Sequence, residues 1–238
     1  MLKYQKIALE IARHITENLQ QKDKLPVIKT LISHFKVSKS TIIKALKVLE
    51  DKGIIYMVRG SGVFVRGEGR KEYYNLLGVN ELQEDASDNR YDLLEIMEMK
   101  RINALPEVIN ALGLEKNAKV YSVKYVYYLD KQVTCLEQVF LSQKIISDLN
   151  EEIAPKPIWE YIKDVLGIKM GFPDIYVNVD KLNAEEASFF GLNAGDPMLC
   201  KEIIYHLVNG QPFCYSKAVY HYKQARFFLK VNSPNLDY

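Results

Sequence analysis

The sequence predicts an α+β protein built from two domains, and three observations carry this prediction. Apolar residues recur with the 3.6-residue period of helices over residues 7–49 and later occur in runs typical of strands. The net charge changes sign near Lys71. Two later segments share one order of helix, strand, turn and strand. We therefore expect a small helical domain, followed by a larger domain with a mainly antiparallel sheet and flanking helices.

Composition sets the class of protein. The chain has 238 residues, of which 48% are apolar and 26% charged, enough for two packed domains. Its apolar runs fall short of the roughly 20 residues that a membrane-spanning helix needs, and its first residues lack the apolar segment of a secretory signal. We expect a cytoplasmic protein with no membrane partner. The cysteines, Cys135, Cys200 and Cys214, lack metal-ligand spacing and are expected to be buried thiols.

The charge is unevenly distributed along the chain. Residues 1–71 carry 15 Lys and Arg against 6 Asp and Glu, a net charge of +9, whereas residues 72–238 carry 17 against 24, a net charge of −7. The first part attracts polyanions such as nucleic acid, and the second part repels them. Charge alone leaves a solvated basic surface as an equal alternative, so the spacing of the residues has to decide.

Three helices are predicted in the basic part. Apolar residues one turn apart over residues 7–19 define the first helix, and the second begins after Pro26. Ser38 is expected to cap the third helix, and Gly53 to end it. The outer face of this third helix presents cations, hydroxyl groups and one apolar side chain, namely Lys39, Ser40, Thr41, Ile43, Lys44 and Lys47.

A hairpin follows the helices. Strand-like runs at 54–58 and 63–65 flank a turn that starts with Arg59 and contains two glycines. Two helices joined by a short turn and followed by a hairpin predict a winged helix-turn-helix, whose last helix enters the major groove of DNA. Arg59 would reach the minor groove, while the glycines let backbone N–H groups approach phosphates. An ordinary three-helix bundle with a hairpin is the alternative.

The basic part resembles the GntR family of bacterial transcription regulators. The resemblance rests on Tyr4-Gln5-Lys6-Ile7, L-P-V-I-K-T-L from Leu25, V-S-K-S-T-I-I-K-A-L from Val37 and R-G-S-G-V-F-V from Arg59. It implies a winged helix-turn-helix that binds double-stranded palindromic operators as a homodimer. Combined with the outer face of the third helix and the hairpin tip, it gives these predicted DNA-binding residues: Lys29, Ser38, Lys39, Ser40, Thr41, Lys44, Lys47, Arg59, Gly60 and Ser61.

The sequence departs from the family pattern at two of these positions and at Ile43. Lys29 and Lys39 stand where the family usually has arginine, and a point charge replaces a bidentate fork there. Ile43 occupies a position where the family normally has another DNA-contacting arginine. We expect Lys44 to take over the phosphate contact that Ile43 cannot make.

The predicted domains are 1–66, a linker at 67–75, and 76–238. In the second domain we expect strands at 93–101, 119–129, 133–141 and 168–179. Helices are expected at 106–112, 144–149 and 157–166. Another helix is opened by Asn183, with Glu186 three residues later in a capping-box arrangement, and is closed by Gly191.

This second domain contains an internal repeat. The stretch G-L-E-K-N-A-K-V from Gly113 resembles G-L-N-A-G-D-P-M from Gly191, and Tyr127 then aligns with Tyr205. Such a repeat predicts one antiparallel sheet with ligand sites where its halves meet.

From about Asn75 to Val231 the chain resembles the UTRA ligand-binding domain of the HutC-like branch of the family. The resemblance implies a fold like that of chorismate lyase and a small-molecule effector, most often a sugar or sugar phosphate, with no cofactor. By position it gives these effector-binding residues: Tyr125, Tyr127, Glu137, Trp159, Ser216 and Tyr220.

Two features of this set bear on the ligand. Tyr125 and Tyr127 stand where the family often has arginines, so stacking of an uncharged or glycosidic ring is the alternative to a phosphate site. Core packing is an equal alternative for each aromatic residue. Glu137 is an acid within an apolar strand and therefore needs a partner.

We predict neither a catalytic nor a metal site, because no nucleophile elbow, P-loop or zinc-ligand spacing occurs. A lyase-like enzyme, with Glu137 and Tyr127 as an acid–base pair, is one alternative function. A DNA-binding protein without an effector is another. The sequence favours a ligand-responsive transcription regulator, a repressor, whose effector acts through the second domain.

Overall fold

The computed structural model describes residues 2–67, 70, 73–76, 93–147, 149 and 158–231. They form two compact units, one of residues 2–76 together with 227–231 and one of residues 93–226. The helices are α1 (Lys3–Asn18), α2 (Ile28–Phe35), α3 (Lys39–Asp51), α4 (Pro106–Leu112), α5 (Ile158–Glu160) and α6 (Ala184–Phe190). The strands are β1 (Ile55–Val58), β2 (Gly62–Val65), β3 (Tyr74–Asn75), β4 (Leu93–Asn103), β5 (Lys119–Leu129), β6 (Gln132–Ser142), β7 (Met170–Lys181), β8 (Pro197–Leu207), β9 (Pro212–His221) and β10 (Phe227–Phe228).

Helices α1, α2 and α3 enclose the core of the first unit, as the apolar spacing predicts. Ile42, Leu46 and Leu49 of α3 are almost completely buried there. The Ser38 hydroxyl accepts a hydrogen bond from the Thr41 backbone N–H and caps α3. None of the helices in the described ranges is long and apolar enough to span a bilayer.

The predicted hairpin is formed by β1 and β2, which pair antiparallel from Ile55 opposite Val65 to Val58 opposite Gly62. The chain before α2 lies along β2, because the backbone N–H of Leu25 donates to the Val63 carbonyl over 2.9 Å. The hairpin is thereby held against the helices, and its tip extends away from the core.

The C-terminal segment belongs to the first unit. Strand β10 pairs parallel with β3, and the Arg66 Nη1 donates to the Val231 carbonyl over 3.3 Å. This arrangement differs from the domain limits expected from the sequence, which gave 67–75 to a linker and all of 76–238 to the second domain. A two-residue pair between distant segments leaves no periodic signal in the sequence.

The second unit is one six-stranded antiparallel sheet in the order β4-β5-β6-β9-β8-β7. The predicted repeat is confirmed: β4-α4-β5-β6 and β7-α6-β8-β9 are its two copies, and β6 pairs with β9 where they meet. Both copies carry a bulge at the same place, after Tyr127 and after Tyr205. Helices α4 and α6 cover one face of the sheet.

The capping box that opens α6 is also confirmed. Asn183 accepts from the backbone of Glu186, and the Glu186 carboxylate accepts from the backbone of Asn183. Gly191 follows the helix with the left-handed backbone that a C-cap requires.

Two expected helices differ from the structure. At 144–149 the described residues form a single turn, in which the backbone N–H groups of Ile145 and Ile146 both donate to the Ser142 carbonyl. Ile146 is fully buried, so the apolar spacing there reflects burial and not a helix. The helix expected at 157–166 is α-helical only in α5 and continues as a π-helix, Tyr161–Val165. Residue 157 lies outside the described residues.

Replacing Lys36 with glycine should stabilise the protein. Lys36 follows α2 with φ 51° and ψ 50°, which is the left-handed conformation. This conformation is strained for a residue with a Cβ atom but not for glycine. We expect Lys36→Gly to raise the free energy of unfolding by about 0.5–1 kcal/mol in urea titrations. Lys36→Ala removes the charge but keeps the Cβ atom, so an equal gain in that variant would contradict backbone strain as the cause.

Candidate nucleic-acid interface and ligand-binding face

Helix α3 presents one polar stripe to solvent. Its buried side consists of Ile42, Ala45, Leu46 and Leu49. The opposite side is exposed along its whole length and is named here the recognition face: Lys39, Ser40, Ile43, Lys44 and Lys47. These residues recur at three- to four-residue intervals, so they form one strip along the helix. The strip is therefore a continuous exposed surface along α3.

Hydroxyl groups cluster at the N-terminal end of α3. The Ser38 Oγ lies 2.9 Å from the Ser40 Oγ and 2.9 Å from the Thr41 Oγ1. Ser38 and Ser40 are exposed, and Thr41 is half-buried. The cluster therefore stands beside the positive end of the helix dipole, an arrangement suited to a phosphate oxygen.

The positive charge of α3 is concentrated toward its N-terminal half. Lys47 is engaged within the helix, because its Nζ lies 2.8 Å from an Asp51 oxygen and 3.4 Å from a Glu50 oxygen. The hydrogen bond with Asp51 raises the pKa of the Lys47 ammonium. Lys39 and Lys44 form no ion pair with any residue that the structure describes. Their charges are available to a polyanion, whereas that of Lys47 is compensated.

The other predicted DNA-binding residues also lie on the surface of this unit. Lys29 is exposed on α2, and Arg59, Gly60 and Ser61 form the exposed tip of the hairpin. Gly60 takes φ 78°, and a Cβ atom there would meet nothing within 4 Å. The tip is therefore free to approach a partner, and contact of these residues with DNA stays a prediction.

In the second unit a buried carboxylate organises the predicted ligand residues. Glu137 is only 7% exposed, and it accepts from the Tyr127 hydroxyl over 2.5 Å and from the Ser216 hydroxyl. Tyr125 lies directly opposite Glu137 on the neighbouring strand. Burial, reinforced by the negative charge of Glu137, raises the pKa of Tyr125 well above its usual range, so this phenol stays neutral. The partner expected for Glu137 is thus present.

The strand register places Tyr125, Tyr127, Glu137, Ser216 and Tyr220 on one face of the sheet, opposite the face that α4 and α6 cover. We name it the ligand face. All five are buried. The structure therefore brings together five of the six residues that the sequence assigned to an effector.

Trp159, the sixth, reaches this face through Tyr205. Their rings lie 4.4 Å apart between centroids at an angle of 47°, and Tyr205 shares the face through its pairing with Cys214. The indole Nε1–H of Trp159 is buried and finds no acceptor among the described residues. Buried donors in proteins nearly always have an acceptor, so this one requires an explanation.

Lys201 is a residue of this face that the sequence reasoning missed. It is 2% exposed. Ala218 of β9 pairs with Glu137 on one neighbouring strand and with Lys201 on the other, so the three residues lie on the same face. Its Nζ lies 5.5 Å from the ring centroid of Tyr220. The signal was available, since a cation within an apolar strand calls for the same explanation as Glu137.

By the strand register, Cys135 and Cys214 lie on the ligand face, and Cys200 lies on the opposite face. All are buried, and burial raises the pKa of Cys200 to about 11 and that of Cys214 well above its usual range. Cys200 and Cys214 therefore remain protonated at neutral pH. In the described ranges no three His, Cys, Asp or Glu side chains converge as metal ligands would.

Comparison with known proteins agrees with this division of the chain. Residues 3–65 match the bacterial regulatory proteins of the gntR family, and residues 94–226 match the UTRA domain. The Mannosyl-D-glycerate transport/metabolism system repressor MngR of Escherichia coli K12 is 25% identical over 229 residues, which is 95% of this chain and 94% of that protein.

A second relative is more similar. The uncharacterized HTH-type transcriptional regulator YydK of Bacillus subtilis 168 is 45% identical over 234 residues, 98% of this chain and 99% of that protein. The crystal structure of YydK superposes with a TM-score of 0.81, covering 98% of this chain and 100% of that one. The chain therefore belongs to the gntR family of bacterial transcription regulators, in the branch that joins a DNA-binding helix-turn-helix domain to a UTRA domain.

Proposed function

We propose that this protein is a repressor that binds a palindromic operator as a homodimer and responds to a small carbohydrate effector. The observation that carries the DNA-binding part is the exposed recognition face of α3, with uncompensated cations at Lys39 and Lys44 and no acid before Glu50. Such a strip suits the major groove, where side chains reach base edges while lysines contact phosphates.

The size of the reading surface supports the proposed homodimer. One recognition helix contacts only a few base pairs, whereas two helices in successive major grooves, about 34 Å apart, read a palindrome. The net charge of −7 on residues 72–238 repels DNA, which leaves this part of the chain available for pairing and for the effector.

The ligand face supports a polar, ring-containing effector. Glu137 can accept from ligand hydroxyl groups, the Trp159 N–H can donate to a ligand oxygen, and tyrosine rings offer surfaces on which a sugar ring packs. Lys201 is also buried on this face. The relative MngR is named for mannosyl-D-glycerate, a sugar joined to a carboxylic acid.

The effector would act by favouring one arrangement of the dimer. A difference of about 1–3 kcal/mol in its affinity for two arrangements suffices to alter operator occupancy. Strand β9 carries Ser216 and Tyr220 of the ligand face, and the chain continues from β9 into β10, which pairs with β3 in the DNA-binding unit. This continuity supports transmission through the backbone.

Removal of single cations tests the DNA-binding face. We expect Lys44→Ala and Arg59→Ala to weaken binding to an operator selected from random duplexes, because each variant loses a positive charge that faces the DNA. The slope of log affinity against log salt concentration should become shallower by about 1 per half-site for each variant, measured by fluorescence anisotropy. Wild-type affinity in both variants would contradict this assignment of the face.

Lys47 provides a comparison within the same helix. Because Asp51 and Glu50 already compensate its charge, Lys47→Ala should change the salt slope by less than half as much as Lys44→Ala. Lys116, exposed in the second unit, is the matched control and should leave binding unchanged when replaced by alanine. An effect of Lys47→Ala equal to that of Lys44→Ala would show that DNA displaces the acidic partners.

Trp159→Phe tests the ligand face. The variant keeps an aromatic ring but loses the buried N–H, so an effector that accepts from it should bind about tenfold more weakly. A thermal-shift screen of sugars, sugar acids and sugar phosphates identifies the ligand, since a compound that binds the native state raises the melting temperature. Tyr176→Phe, an exposed change on β7, is the control. Unchanged ligand affinity in Trp159→Phe would remove the indole from the site.

A further inference from the structure

One side chain of the recognition face differs from its neighbours. Ile43 is apolar, yet it is 44% exposed. It belongs to neither the buried core of its unit nor the partly buried side chains packed against that core. All residues of α3 are described, and every other large apolar residue of the helix is buried or half-buried. Core packing therefore does not account for an isoleucine at this position.

The neighbours of Ile43 define the environment it would meet on DNA. Lys39 lies one turn before it and Lys47 one turn after it on the same strip, and Ser40 and Lys44 flank it. The cations and hydroxyl groups suit phosphates and polar base edges. Ile43 is thus an apolar side chain surrounded by polar and charged ones. In a helix bound in the major groove, it would face the base edges.

The major groove offers one apolar group to such a side chain. Base edges there present hydrogen-bond donors and acceptors, except for the 5-methyl group of thymine. Desolvating a donor or acceptor against isoleucine costs free energy, because the polar group loses its water without gaining a partner. Contact with a methyl group instead removes apolar surface from water on both sides.

We propose that Ile43 reads the 5-methyl group of a thymine in each operator half-site. The inference rests on the proposed binding of α3 in the major groove, and it adds the identity of one base and the chemical group by which that base is recognised. Lys39 and Lys44 hold the duplex, and Ile43 distinguishes thymine from the other bases at its position.

Deoxyuridine provides the test, because it pairs with adenine as thymidine does and differs from thymidine only in lacking the 5-methyl group. An operator is first selected by the full-length wild-type protein from a pool of random duplexes. Each thymine of the half-site is then replaced in turn, in both halves, and affinity is measured by fluorescence anisotropy. At one position we expect wild-type binding to weaken about fourfold per half-site, the effect of exposing one methyl group.

Variants assign that effect to Ile43. Ile43→Ala should bind the thymidine and deoxyuridine duplexes equally, whereas Ile43→Val keeps a branched apolar side chain and should keep part of the discrimination. Ile43→Arg should select guanine at this position, since arginine pairs with the guanine edge. Leu9→Ala, a change at a 43% exposed leucine of α1, is the matched control and should discriminate as the wild type does. Circular dichroism verifies folding.

The outcomes separate the two proposals. If deoxyuridine at every thymine leaves wild-type affinity unchanged, or if Ile43→Ala discriminates as strongly as the wild type, the role of Ile43 is overturned while DNA binding stands. If the wild-type protein selects no sequence from the pool, sequence-specific operator binding fails, and the role of Ile43 fails with it.

Discussion

The burial of one side of α3 is the constraint on which the DNA-binding unit depends. Ile42, Ala45, Leu46 and Leu49 are each at most 1% exposed, so the helix cannot rotate without exposing them or burying lysine. The core thereby fixes which side chains face outward. The packing of the buried side of α3 therefore determines which side chains make up the recognition face on its other side.

A second constraint acts at the centre of the sheet. Glu137 lies beside the junction of the two repeats, where a carboxylate loses most of its hydration and must be compensated by hydrogen bonds. Tyr127 supplies one bond from within its own repeat, and Ser216 supplies the other from the second repeat. The two copies are thus joined through a polar network as well as through the β6–β9 pairing. Such a network holds its members in fixed positions, which suits a face that distinguishes one polar ligand from another.

Local signals made much of this predictable from the sequence. Ser38 before α3 and the Asn183–Glu186 pair before α6 mark helix starts through hydrogen bonds within four residues, and the structure forms both. Glu137 was recognised because a lone acid in an apolar strand requires a partner. The turn at 144–149 was mistaken for a helix, because residues buried by distant strands imitate the apolar spacing of a helical face. That the Trp159 N–H has no acceptor among the described residues depends on what surrounds the indole in space, which the spacing of residues along the sequence does not reveal.

The return of the C-terminal segment bears on how the two units can communicate. A sensor joined to its DNA-binding unit by one flexible linker could rearrange without affecting the other unit, because such a chain transmits little orientation. In this protein two separate segments of the first unit flank the sheet in the sequence: β3 precedes it, and β10 follows β9. These two strands pair with each other. Arg66, at the end of the hairpin, bonds to the same returning segment at Val231. The segment that follows β9 along the chain is therefore hydrogen-bonded, through β10 and Val231, within the unit that carries α3.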